Sequence, residues 1–94
     1  MSDAKKTAIV TGGSRGIGFA VAKQLASEGY SVAILDVNAL EDYRANFAQL
    51  DAMDADYLYY QGGVTDKAAR EAFLSAVVAK YGDVDVLVNN AGVA

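Results

Sequence analysis

Short apolar runs alternate along this chain with stretches whose apolar residues recur at helical spacing. Thr7-Ala8-Ile9-Val10-Thr11 reads as a first strand. A helix is predicted from about Gly16 to Glu28, with Ile17, Ala20, Val21 and Leu25 on one face. Gly29 stands where a helix end favours a left-handed residue. Ser31-Val32-Ala33-Ile34-Leu35-Asp36 is almost continuously apolar, the pattern of a parallel strand buried on both faces. Asn38, with Glu41 three residues on, predicts a capped helix start. Leu40, Tyr43, Phe47 and Leu50 then mark the inward stripe of that second helix. Tyr57-Leu58-Tyr59-Tyr60 predicts a third strand, broken by Gly62-Gly63. Asp66 caps a third helix running to about Tyr81, with Ala69, Phe73, Ala76 and Val77 inward, and Gly82 ends it. Val84-Asp85-Val86-Leu87-Val88 is the fourth strand, followed by Asn89-Asn90-Ala91-Gly92.

The predicted order is β-α-β-α-β-α-β. Each connection is long enough for a right-handed crossover, which specifies an α/β fold with a parallel, doubly wound sheet in the order 3-2-1-4. The chain has 94 residues, enough for one domain at most. Hydrophobic residues make up 53% and charged residues 21%, a globular composition. The net charge of -4, with scattered basic residues, argues against nucleic acid as a partner. Cysteine and histidine are both absent, which removes disulfides, thiolate metal sites and the commonest metal ligand and general base. No metal site is expected. The N-terminus lacks a secretory pattern and no apolar run is long enough to span a bilayer, so a cytoplasmic protein away from membranes is the expectation.

The chemistry concentrates in Thr11-Gly12-Gly13-Ser14-Arg15-Gly16-Ile17-Gly18, between the first strand and the first helix. A glycine-rich turn there lets an anionic pyrophosphate approach the backbone, where first-turn N–H groups and the helix dipole favour negative charge. Gly12 serves the sharp turn; Gly16 and Gly18 serve close approach; Ser14 and Arg15 are candidate phosphate donors. Asp36 ends the second strand, 18 residues after Gly18. A carboxylate there accepts hydrogen bonds from the hydroxyls of an adenine ribose and repels a 2′-phosphate. NAD is therefore favoured over NADP, with Arg15 the one residue that argues the other way.

Thr11-Gly12-x-x-x-Gly16-x-Gly18, Asp36, and Asn89-Asn90-Ala91-Gly92 after the fourth strand together resemble the short-chain dehydrogenase/reductases, over essentially the whole chain. The resemblance implies the N-terminal half of a Rossmann sheet, so that residues 1–94 form an incomplete NAD(P)-binding domain. It implies that Gly12, Ser14, Arg15, Gly16, Ile17 and Gly18 surround the adenosine phosphate and pyrophosphate, and that Asp36 holds the ribose. It implies further that the Val64 backbone passes along the adenine and that Asn90, Ala91 and Gly92 line the cofactor floor. One position departs from the family: an Asp that usually hydrogen-bonds adenine is Gly63 here. The family's catalytic Ser and Tyr-x-x-x-Lys have no counterpart in these residues, so no catalytic residue is assigned. Asp83 and Asp85 read as solvated turn acids.

The function this implies is the cofactor-binding part of an oxidoreductase passing hydride between nicotinamide and a small carbonyl or alcohol substrate. The alternative is a dinucleotide-binding module without catalysis. Strand four, with Val84, Val86, Leu87 and Val88, is expected to be an apolar sheet edge that promotes self-association as a homo-oligomer.

Overall fold

A computed structural model describes residues 5–90. Within it β1 (Thr7–Thr11), α1 (Gly16–Ser27) and β2 (Ser31–Asp36) form the first β-α-β unit. A single 3₁₀ turn, Leu40–Tyr43, then leads into α2 (Arg44–Ala52), followed by β3 (Tyr57–Gln61), α3 (Lys67–Tyr81) and β4 (Val86–Asn89). All strand pairs are parallel and the order is β3-β2-β1-β4, as the sequence predicts.

Side-chain alternation on the two central strands explains their uninterrupted apolar character. Val10, Val32 and Ile34 face one side, where Phe19 and Ala22 of α1 and Phe47 and Leu50 of α2 cover them. Ile9, Ala33 and Leu35 face the other side, under Phe73 and Val77 of α3. The stripe predicted for the second helix is confirmed: Leu40 and Tyr43 pack against the first cluster and Phe47 and Leu50 are buried in it. Phe47 lies 5.0 Å from the Tyr59 ring, edge to face, and 5.6 Å from Tyr57. Asp66 caps α3 as expected, its Oδ1 accepting from Ala69 N at 3.1 Å. At the opposite end of that helix, Tyr81 donates its hydroxyl to Asp56 at 3.0 Å, tying α3 to the start of β3.

Three sequence expectations need correction. The buried face of α1 is Gly18, Phe19 and Ala22; Ile17 is 77% exposed and Ala20 is exposed. Gly18 lies on that buried side, close enough to the β1–α1 loop that a Cβ there would stand 2.0 Å from Gly12 O. Asn38 does not cap the second helical segment, which starts after Ala39 without any side-chain cap. Its amide turns instead to Asp36 and Ser14. Finally, β4 begins at Val86 and not at Val84, because Asp85 closes the ladder. Its backbone N–H donates to Thr7 O at 2.8 Å, and its carboxylate accepts from Thr7 N at 2.9 Å.

Candidate functional site: a cleft at the strand-order reversal

The reversal between β1 and β4 opens a crevice at the C-terminal ends of the strands, the position where open α/β sheets bind ligands. The β1–α1 loop forms its inner wall. Gly12 N continues the sheet by donating to Leu35 O at 2.8 Å. Gly12 and Gly16 have positive φ, 67° and 58°, a backbone state that side chains rarely adopt. Gly18 is required by proximity. A Cβ there would stand 2.0 Å from Gly12 O and 2.8 Å from Asn90 Nδ2.

Asn90 locks this arrangement from the far end of the chain. Its side-chain amide donates to Gly12 O at 3.2 Å, and its backbone N–H donates to Thr11 Oγ1 at 3.0 Å. Thr11 Oγ1 in turn lies 3.1 Å from Asn89 Oδ1. The end of β4 is thus stitched to the loop that opens α1.

The cleft occupies about 560 Å³ and is lined by Gly12, Arg15, Gly16, Ile17, Asp36 and Asn90, all singled out by the sequence. Val64 completes its far wall with Gly62, Gly63 and Thr65. Val37 and Asn38 also line it; the sequence signal for both was their place directly after Asp36. The first-turn amides of α1 have no helical carbonyl to bond, and no acid occupies that turn. With Arg15 beside them, these donors suit an anion such as a pyrophosphate. Beyond its chain neighbours and its own helix backbone, an added Cβ at Gly16 meets nothing within 4 Å, so this part of the backbone lies open.

Two of the sequence-assigned residues stand behind the cleft wall. Gly18 is buried against the loop, and Ser14 is wholly buried at 0% exposure. Ser14 does not face the cleft as a phosphate donor. It donates to Asp36 Oδ2 through both Oγ, at 2.6 Å, and its backbone N–H, at 3.0 Å. Ala91 and Gly92 lie outside the described residues.

Asp36 is 8% exposed and fully hydrogen-bonded. Oδ1 accepts from Val37 N at 2.7 Å and from Asn38 Nδ2 at 3.2 Å. Burial pushes its pKa up, but the hydrogen bonds from Ser14 and from the backbone of Val37 and Asn38 outweigh this and hold it below 3.8. It is a fixed negative charge at neutral pH. One supporting residue escaped the sequence reading: Asn46, on α2, donates its amide to Ser14 O at 2.9 Å. Nothing local marks it, since its partner lies 32 positions away.

A parallel doubly wound sheet with a glycine loop, an open helix start and an acid at the end of the second strand defines a protein of the dinucleotide-binding class. The short chain dehydrogenase family profile matches residues 6–94, and the chain belongs to that family. It is 43% identical over 88 residues to a 3-oxoacyl-(acyl-carrier-protein) reductase of Staphylococcus aureus, an alignment covering 94% of this chain and 36% of that protein. The crystal structure of a 3-oxoacyl-(acyl-carrier protein) reductase from Brucella melitensis in complex with NAD superposes with a TM-score of 0.83 at 35% identity. That match covers 97% of this chain and 35% of the other. A metagenomic short-chain oxidoreductase in complex with NADP gives a TM-score of 0.84 at 38% identity, covering 98% and 42%. The chain therefore spans little more than a third of the length of these relatives. The solved relatives include one bound to NAD and one bound to NADP.

Proposed function

We propose that residues 1–94 are the cofactor-binding part of a longer NAD(P)-dependent oxidoreductase acting on a carbonyl or alcohol, and that the cofactor is NAD. When bound, the dinucleotide supplies or accepts the hydride. The chain's own residues bind and orient it. Gly12, Arg15, Gly16 and Ile17, with the α1 amides, take the phosphates. Val37, Gly63 and Val64 offer an apolar wall for the adenine, and Asn90 holds the loop in shape. The residues that would perform the reaction belong to the remaining length of such a protein.

The observation that carries the choice of NAD is the charged, buried Asp36 on the cleft wall. A ribose diol can donate to it, whereas a 2′-phosphate meets like charge. Fluorescence titration with NADH and NADPH tests this. The chain should bind NADH more tightly, and Asp36→Ala should weaken NADH by about tenfold or more while changing NADPH little. Equal losses for both cofactors would count against the ribose assignment.

A binding module that self-associates without catalysis is the second reading. It is favoured by the exposed side chains of β4 and α3, with Leu87 64% and Val78 54% exposed at the sheet edge and on the helix beside it.

A further inference from the structure

The two oxygens of Asp36 live in unlike surroundings. Oδ2 takes both of its hydrogen bonds from Ser14, a residue with no exposed surface whose carbonyl is itself held by Asn46. A carboxylate oxygen offers about two acceptor directions, so Oδ2 is filled from the interior. Oδ1 has one short bond, from Val37 N. Beside this and the Asn38 backbone, which also favours the carboxylate, it has a longer side-chain contact from Asn38, whose amide is divided between Oδ1 at 3.2 Å and Ser14 Oγ at 3.3 Å. Both Asp36 and Asn38 line the cleft, and Asn38 is only half-buried. The inner partner is therefore rigid and the outer one exchangeable.

We propose that Ser14 is a positioning residue for ribose discrimination, pinning Oδ2 so that Oδ1 is the oxygen offered to the cleft, and that Asn38 is the donor a ribose hydroxyl displaces. This rests on the dinucleotide reading of the cleft and deepens it. A free hydroxyl has a proton to give to Oδ1 in place of the amide. A phosphate dianion has none, and a carboxylate pinned from behind cannot rotate out of its way. The discrimination then resides in the immobility of the acid as much as in its charge.

The test compares NADH and NADPH affinities, by fluorescence titration, for the unsubstituted chain, Ser14→Ala and Asn38→Ala. Ser14→Ala should lower the NADH-over-NADPH preference by about tenfold, the worth of a lost hydrogen bond to a charged group. Asn38→Ala should keep that preference, or raise it about twofold, because only the displaceable donor is gone. Equal weakening of both cofactors by Ser14→Ala would reduce Ser14 to a fold-holding group and overturn the proposal. A fall in preference with Asn38→Ala matching that of Ser14→Ala would overturn it too. Should Ser14→Ala fail to fold, judged by circular dichroism, Ser14→Cys, with its weaker donor, takes its place: a lowered NADH-over-NADPH ratio is expected and an unchanged one overturns the proposal. Failure of the unsubstituted chain to bind either dinucleotide is a separate result: it removes the cleft reading itself.

Discussion

At the scale of single residues, glycines that look interchangeable in the sequence have unequal roles. Gly18 touches the backbone of the loop, and a methyl group there must displace the Gly12 carbonyl. Gly18→Ala is expected to cost about 3 kcal/mol, read as a lower denaturation midpoint at unchanged slope. Gly63 is the contrasting case. Its added Cβ meets only Val37 Cγ1, at 3.6 Å, an ordinary contact. Gly63→Ala should therefore be neutral or stabilise by up to about 1 kcal/mol through the unfolded chain. The sequence identified the loop glycines and Asp36 because their spacing is set by local backbone demands. It misplaced Ser14, whose partner Asp36 lies 22 positions away, and Asn38, whose amide is shared between Asp36 nearby and Ser14, 24 positions away. A short polar side chain in a glycine loop looks the same whether it faces a ligand or a buried acid.

Among the elements, β3 carries a chemistry of its own. Tyr59 packs against Phe47 and donates its hydroxyl to the Asn38 carbonyl. Burial, followed by the negative charges of Asp36 and Asp42 and by Tyr43, pushes its pKa up to about 12. Tyr57 is shifted upward as well, by burial and by its hydrogen bond to Asp51, and so is Tyr81 at the end of α3, by burial and by Asp56. A folded-state pKa above the ordinary 10.0 means that the fold favours the neutral phenol. That contribution is complete below pH 10.0 and disappears as pH rises through about 12. Loss of far-ultraviolet circular dichroism should accompany the rise of tyrosinate absorbance in that window, and Tyr59→Phe should move the alkaline midpoint upward. A midpoint that stays in place would remove Tyr59 from the cause. The strands themselves were legible in the sequence, since two-sided burial leaves a continuous apolar run. The α1 face was not, because apolar spacing does not mark Gly18, which lies on the buried side beside Phe19 and Ala22.

For the whole molecule, the strand order was legible because crossovers of this length admit one hand. Among the described residues the two sides of the sheet are unequally covered: α1 and α2 share one, and α3 covers the other. Beside α3 a second cleft of about 440 Å³ is lined largely by apolar groups, among them Phe73, Leu74, Val84 and Leu87. Leu74 is 47% and Leu87 64% exposed. On the reading of the chain as a self-associating module, Leu87→Lys should shift sedimentation toward the monomer at equal concentration, and an unchanged profile would count against that reading. The stitch between Asn90 and the β1–α1 loop bears on protein engineering. Grafting the glycine loop into a foreign scaffold transfers a handle without its latch, because the group that steadies it comes from a strand three crossovers later. A transplant meant to recognise nucleotides has to carry both segments, and recombination breakpoints placed between them should yield hybrids whose cradle no longer keeps its shape.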